Sequence, residues 1–531
     1  MPQEQGRVEA SKAGGNLHSF HNAPLSTGAR PLASSDSTEE LEGEEREAWK
    51  AALPSESYVP RVMPRLLSTG DMVATFLLIV FFITNATTAV AGGAAAFTYW
   101  AIGALAFFIP GVIATAQLGV IFPHEGSLYN WTHKAFGGYW SFFAAFCAWF
   151  PGVLVIISAG DVIVSYLQGL NPGWLTEPWQ QGLFIIVLIA VTSTLAIQRY
   201  SAVQKLVNLV AGLTLVAVML LGLAGLVWLL RGHPSATSFS HLSDWSIRFD
   251  KNSGNLYLFG LITLAYLGTE VPLNMGGEVA RLRVITRHLF WGAVLVIVGY
   301  GIATFALLVI AGPQNGAAPF ALVHVVDLAL GKFMGNVVAF CLMSFFIMAM
   351  VVYNYAYARL LMVAGIDQRL PVKVARLNRQ RVPANAMIFQ AAVAIVVTAF
   401  VFLLAPYTVQ ITTPANLSTE VYNVMLASST LVWAFSAGFL FFNLIRLHGM
   451  RHPLLRERRI VPAPLLWGSV LCGSVACFLA IIGTLFYSWT NLISNTQWFI
   501  IISVLTFAYL VIAAIGSMFA NSEANWESAR L

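Results

Sequence analysis

Ionisable residues are rare inside the apolar stretches of this 531-residue sequence, so the few that occur there mark where chemistry could happen. Glu270 is the sharpest. It stands in the run Tyr266, Leu267, Gly268, Thr269, Glu270, Val271, Pro272, followed by Gly276, Gly277 and Glu278. Pro272 cannot donate a helix hydrogen bond and Gly268 can turn freely, so the backbone is expected to break beside the carboxylate. A charge at the centre of a bilayer costs about 2.5–3.5 kcal/mol on insertion scales, so Glu270 must be neutral there or face a cavity or a cation. That makes it a candidate amine contact or proton carrier; the plainer alternative is that it bonds freed N–H groups of its own broken helix. A second polar stretch, Thr84, Asn85, Ala86, Thr87 and Thr88 followed by Gly92 and Gly93, interrupts a run of Phe, Ile, Leu and Val. Small hydroxyl side chains there suit either a broken helix or tight helix packing.

The elements that must position these residues are membrane spans. Hydrophobic residues make up 58% of the chain and charged residues only 10%, with 36 Phe, 15 Trp and a mean hydropathy of +0.73. A soluble domain carries about 45–50% apolar and about 25% charged residues, so most of this surface must face lipid. A bilayer core of about 30 Å takes about 20 apolar residues per helix. On that basis twelve spans are expected, at 72–95, 99–121, 139–166, 182–198, 203–230, 254–277, 288–312, 333–363, 384–405, 421–445, 465–488 and 496–519. The fourth is the shortest. Residues 1–65 read as a disordered tail with an acidic cluster from Glu39 to Glu47, in which Ser37 and Thr38 could cap a short helix running to about Leu53. No secretory signal is expected, because the first apolar run starts after Asp71. Residues 521–531 read as a second short tail. Cys147, Cys341, Cys472 and Cys477 all sit in apolar runs, at spacings that suit neither a disulfide framework nor zinc.

Charge placement orients the chain. Lys134, Arg199, Lys205, Arg281, Arg283, Arg287, Arg359, the basic residues of 369–381 and those of 446–459 lie in or beside loops that follow even-numbered spans. The opposite loops hold only Arg231, Arg248, Lys251 and Lys332. The positive-inside rule then makes the even loops and both termini cytoplasmic, in a multi-pass protein of the cell (plasma) membrane. The run at 369–381 reads as a topology anchor in preference to a nucleic-acid or lipid-specific site, and no nucleic-acid partner is expected.

Two interrupted helices, first and sixth, are what a five-plus-five inverted repeat with two extra helices would produce. The expected fold class is therefore an all-α polytopic membrane protein of twelve transmembrane helices with that repeat. A binding site at mid-membrane follows. Freed N–H groups at the positive end of one half-helix suit a carboxylate, and freed carbonyls of the other suit an ammonium, so the pair suits a small zwitterion.

A family resemblance rests on specific residues. The stretch FPHEGSLYNW at 122–131, then Ala135, Phe136 and Gly137, resembles the loop between the second and third spans of the amino acid-polyamine-organocation superfamily of permeases. Gly268 with Glu270 and Gly277 with Glu278 are similar to that family's sixth-span pattern. Asn354, Arg359, Asp367, Leu370, Pro371, Val382 and Pro383 are similar to the end of its eighth span and the start of its ninth. The resemblance covers about residues 66–520 and implies alternating-access transport of an amino acid or related amine. Position by position, it implies substrate contacts at Thr84, Asn85, Ala86, Thr87 and Thr88 and at Leu264, Ala265, Tyr266, Leu267 and Gly268, with Glu270 beside them in gating or proton coupling. There are departures. Asn85, Ala86, Thr87 and Thr88 stand where many members have a Gly-Ser-Gly-like turn. No ionisable residue occurs in 206–230, where some proton-coupled relatives place a lysine, and no Ser or Thr in 345–361, where a sodium site of that fold would need hydroxyl ligands. Exchange, facilitated diffusion or proton coupling through Glu270 remain.

The other residues weigh less. Glu278, near Arg281 and Arg283, suits an interfacial ion pair or part of an inner gate. Asp161, inside the third span, suits either a pathway role or pairing within the bundle. Tyr353, Tyr355 and Tyr357 alternate and so cannot share one helix face, and the ten histidines show no ligand spacing. Trp100, Trp140, Trp228, Trp291 and Trp498 near span ends suit an interfacial belt. No catalytic constellation, phosphate loop or metal motif appears, so neither an enzyme nor a cofactor is expected. A channel would rest on symmetric rings. A non-transporting amino acid sensor of the same fold is the alternative function. The expected partners are a small amino acid or amine, membrane lipid, and protons as a candidate coupled ion.

Overall fold

The computed structural model describes residues 53–248, 255–316, 318–408, 414–489 and 493–530. Among them every named element is helical, and the one isolated β-bridge joins Leu67 to Val279. Ten helices are long and apolar enough to cross a bilayer, from Ala95–Ile121 to Asn495–Ser522. An eleventh span is the bent pair Thr69–Val80 and Asn85–Gly92, which turns by 44° at its break. The sixth place in the order is filled by Tyr257–Leu264 and Val271–Glu278, of 8 residues each and so too short to cross singly. The twelve expected spans thus all have a helical counterpart, and the two discontinuous ones are the first and the sixth.

Local chemistry explains the boundaries. Ser68 starts the first span by accepting from the Asp71 N–H while the Asp71 carboxylate accepts from the Ser68 N–H, a reciprocal cap. Pro178–Ala196, the fourth span, begins four residues earlier than its apolar run, because Pro178 tolerates the first turn and Gln180 bonds back to the Glu177 N–H. Its 19 residues reach about 28 Å at about 1.5 Å each, just enough to cross. The second and ninth spans each contain a π-turn, Ala104–Phe108 and Ala399–Leu404. A positive φ at Gly126 turns the chain into Ser127–Phe136, a short helix between the second and third spans with Trp131 and Tyr129 buried.

The stretch expected as a tail up to residue 65 differs in its last part. Pro54–Val62 is a helix with Val59 buried, and Met63 and Leu67 are buried after it. What holds it is distant in sequence: the Ser55 N–H and hydroxyl both donate to the Asp367 carboxylate, at 2.9 and 3.0 Å, and Glu56 pairs with Lys134 at 2.9 Å. Composition alone does not register such partners. The acidic segment after Ser37 lies outside the described residues.

Candidate substrate site between the broken spans

The first span breaks at Phe81–Thr84 and the sixth at Ala265–Glu270. At the first break the Ile79 carbonyl has lost its helical donor, while those of Val80 and Phe82 accept from the nearby N–H groups of Phe82 and Asn85 at 3.1 and 2.8 Å, and tyrosine hydroxyls reach all three. Tyr353 donates to the Ile79 carbonyl at 2.7 Å, and the Tyr300 hydroxyl lies 3.2 Å from the Val80 carbonyl and 3.3 Å from that of Phe82. The Asn85 amide reaches the same Tyr300 hydroxyl at 3.2 Å. The N–H groups of Ile83 and Thr84 donate to nothing among the described residues. One break therefore offers carbonyls, covered by movable hydroxyls, and free N–H groups within a few residues of each other.

At the second break Gly268 adopts φ +100°, open to glycine and strained for other residues. A Cβ there would come within 3.2 Å of both Ile79 and the Trp433 ring, so the position is also too tight for a side chain. This turn brings the sixth span against the first span and the tenth. Glu270 follows, 2% exposed, with one carboxylate oxygen accepting from the Trp433 indole N–H at 3.0 Å. Its second oxygen has no hydrogen-bond partner among the described residues. Tyr353 and Tyr357 of the eighth span pack on the same indole, at 6.4 and 6.5 Å between centroids, and the Tyr357 hydroxyl is likewise buried and unpartnered. Thr269 hydrogen-bonds Thr115 at 3.0 Å. Pro272 sits at the start of the next helical segment, where its missing N–H costs nothing.

The predicted residues are brought to these breaks unequally. Thr84 lies in the break itself, whereas Asn85, Ala86, Thr87 and Thr88 belong to the second half-helix, with Thr88 exposed and Ala86 and Thr87 buried. Leu264 ends the first piece of the sixth span, which packs beside Gly92; Ala265 to Gly268 form the unwound link. Tyr266 points away from Glu270 into an aromatic stack with Phe108, 4.5 Å between centroids, and edge-on to Trp100. Trp100 lies face to face with Tyr300 at 4.2 Å and donates to Thr304, so it is part of this interior stack and not of an interfacial belt; it is 5% exposed. Asp161 is half-buried and makes no ion pair among the described residues.

A second cluster closes the end of the bundle that carries the basic loops. Glu278 pairs with Arg359 of the eighth span, which is 1% exposed, and not with Arg281 and Arg283 as its place in sequence suggested. The chain is extended from Val279 to Arg281, and both of those arginines point outward and are exposed. Arg359 also donates to the Tyr355 carbonyl at 3.0 Å and lies 4.6 Å from the Tyr200 ring centre. Over this pair lies the loop at 122–126, whose His124 carbonyl comes within 2.7 Å of where a Gly276 Cβ would be. The Glu125 carboxyl occupies the place of a Gly277 side chain, with one oxygen unpartnered. Burial pushes Glu125 up to about 8, and the Glu278 carboxylate pushes the same way against the pull of Arg359. Leu67 completes the closure by exchanging backbone hydrogen bonds with Glu278 and Ala280, at 3.0 and 3.1 Å.

The family model described as "Amino acid permease" matches residues 66–515, that is, both broken spans and every helix between the first and the last. The chain belongs to the amino acid permease family. It is similar to a gamma-aminobutyric acid permease of Bacillus subtilis, 23% identical over 56% of this chain and 63% of that protein. It is also similar to a probable agmatine/putrescine antiporter of Lactococcus lactis, 24% identical over 31% of this chain and 30% of that protein, and to a polyamine transporter of Oryza sativa, 22% identical over 45% and 44%. The chain spans at most about six-tenths of the length of these relatives.

Several residues of this permease's site were not singled out from sequence. Trp433 and Tyr300 look like ordinary span residues, and only the folded chain puts their N–H and O–H on a carboxylate and on freed carbonyls. Glu125 was visible only as one letter of a loop motif. A signal existed for Arg359: a lone arginine seven residues before the end of a 35-residue apolar helix needs a buried partner.

Proposed function

We propose that this chain is a secondary transporter that carries an amino acid or related amine across the plasma membrane by alternating access, with its basic loops and both termini in the cytoplasm. The observation that carries the reading is Glu270: a carboxylate beside a backbone break, held by Trp433 through one oxygen and free at the other. A substrate ammonium suits that free oxygen and the carbonyls of Ile79 to Phe82, and a substrate carboxylate suits the N–H groups of Ile83 and Thr84. The proposed contacts are therefore 79–88 and 264–268 with Glu270. The printed names of the relatives, which include gamma-aminobutyric acid and polyamines, support an amine-bearing substrate over an acidic one. None of these relatives is named as a sensor.

The conformation fits a carrier closed at its basic end, with Glu270 only 2% and Trp433 only 5% exposed at the site itself. Thr88 and Ala91 of the outer half of the first span are exposed, while that half packs on the sixth and seventh spans and on Gly312–Asn315. At the basic end Leu67, Glu125 and the Glu278–Arg359 pair close the path. Transport would require those contacts to part.

Uptake into vesicles tests this directly. Labelled putrescine, gamma-aminobutyric acid and the common amino acids are offered with and without a pH gradient and with sodium replaced. Saturable, competed uptake of an amine-bearing compound is expected. Binding without flux would instead favour a sensor.

A further inference from the structure

Away from the candidate site, a crevice of about 570 Å³ lies between the third, eighth, ninth and twelfth spans near the basic end. Its walls are almost wholly apolar and include Phe142, Phe146, Trp149, Phe389 and Phe519. Phe389 stacks on Trp149 at 5.8 Å between centroids, so the wall is a fixed surface. Phe519 is 73% exposed and Ile512 is 54% exposed, which leaves the crevice open sideways, where a membrane protein meets hydrocarbon.

One end is different. The crevice is closed there by Gln368, Arg369 and the turn that follows. Arg369 is wedged against Gly138 at the start of the third span and donates to the Asn521 side chain at 3.1 Å, so its guanidinium is fixed at the crevice end. Lys373, Arg376, Arg379 and Arg381 follow on the same loop, all exposed. From 367 to 383 the single acidic residue is Asp367, whose oxygens are occupied by the N–H and hydroxyl of Ser55. A narrow apolar slot, open to lipid and ending in an excess of positive charge at the level of the basic loops, is complementary to one kind of molecule. A free phosphate has no use for the aromatic walls. A neutral lipid has no use for the arginine.

We propose that this crevice is a binding site for one phospholipid with an anionic headgroup, its acyl chain against Phe142, Trp149 and Phe389 and its phosphate at Arg369 and Lys373. Sequence alone favoured a topology anchor for the 369–381 run; the slot beneath it adds a ligand-binding role. Pockets of about 300–1,000 Å³ hold small molecules, and basic pockets between spans hold anionic headgroups. A lipid wedged there would brace the eighth span, which carries Tyr353 and Arg359, against the third and the twelfth.

Native mass spectrometry of the full chain, released from micelles containing phosphatidylglycerol and phosphatidylcholine, tests the site. The expected result is one retained phosphatidylglycerol in preference to phosphatidylcholine, not displaced by excess inorganic phosphate. Arg369→Gln should lower retention about fivefold, the effect of one basic residue at a lipid surface. Because Arg369 also borders Asp367, a second variant is needed. A Cβ on Gly516 would meet only Phe142, at 3.7 Å, so Gly516→Trp can fill the slot without a backbone clash and should abolish retention. Equal retention of the two lipids, displacement by phosphate, or retention unchanged in Gly516→Trp would each overturn the proposal, as would a second copy of the chain in place of lipid.

Discussion

At the scale of single residues, the breaks depend on positions that tolerate no ordinary substitute. Gly268 combines a positive φ with contacts from two other spans. Gly268→Ala should therefore cost about 1–3 kcal/mol from strain alone, read as a lowered melting temperature of the purified protein, and more if Ile79 and Trp433 cannot yield. Trp433→Phe keeps the ring and removes the N–H, leaving both Glu270 oxygens unpartnered; a loss of about 1–3 kcal/mol and weakened substrate uptake are expected. Glu125 gives a pH dependence of defined sign. Its carboxyl is held above the ordinary carboxylate range in the folded protein, so the stability it contributes is complete below that range and is lost as pH rises through about 8. The melting temperature of the native chain should fall between about pH 5 and about pH 8 and level off above that, and should stay flat over the same range in Glu125→Gln. Glu270 was legible in the sequence because an acid beside Gly and Pro in an apolar run has few explanations. Trp433 was not, because an indole N–H announces no partner until the tenth span is folded against the sixth.

At the scale of elements, what the sequence made legible was the set of spans, and what it hid was where each break falls. Polar residues at 84–88 mark the first break within a turn, yet the backbone opens at Phe81–Thr84, among residues that look fully helical. The reason is tertiary: Tyr300 and Tyr353, from the seventh and eighth spans, supply the donors that let those carbonyls leave the helix. The sixth break was better marked, since Gly268 and Pro272 act through their own backbone chemistry. The Glu278–Arg359 pair, between the sixth and eighth spans, was misassigned to nearer arginines because sequence proximity is a poor guide once the chain runs extended past Val279. Removing one partner of a buried ion pair leaves an uncompensated charge, so Arg359→Met should destabilise by about 3–5 kcal/mol, and the further change Glu278→Leu should restore much of that. Melting temperatures of the two single variants and the double variant give the comparison.

At the scale of the whole molecule, the closed end is tied by a strap that precedes the first span. Ser55 on Asp367, Glu56 on Lys134 and Leu67 on the sixth span link the chain before residue 70 to the loops after the second and eighth spans. Asp367→Asn weakens an anchor of that strap without touching the candidate site. Amide hydrogen exchange at Leu67 and Ala280, whose backbone bonds close the basic end, should be severalfold faster in that variant than in the native chain. The central claim is narrower: the unwound pieces of the first and sixth spans hold an amine through the free oxygen of Glu270. Equilibrium binding of a labelled amine substrate to the purified chain and to Glu270→Gln tests it most directly. Binding that falls at least about tenfold in the variant, a difference of about 1.4 kcal/mol, is the predicted result. Equal affinity in the two proteins would contradict it.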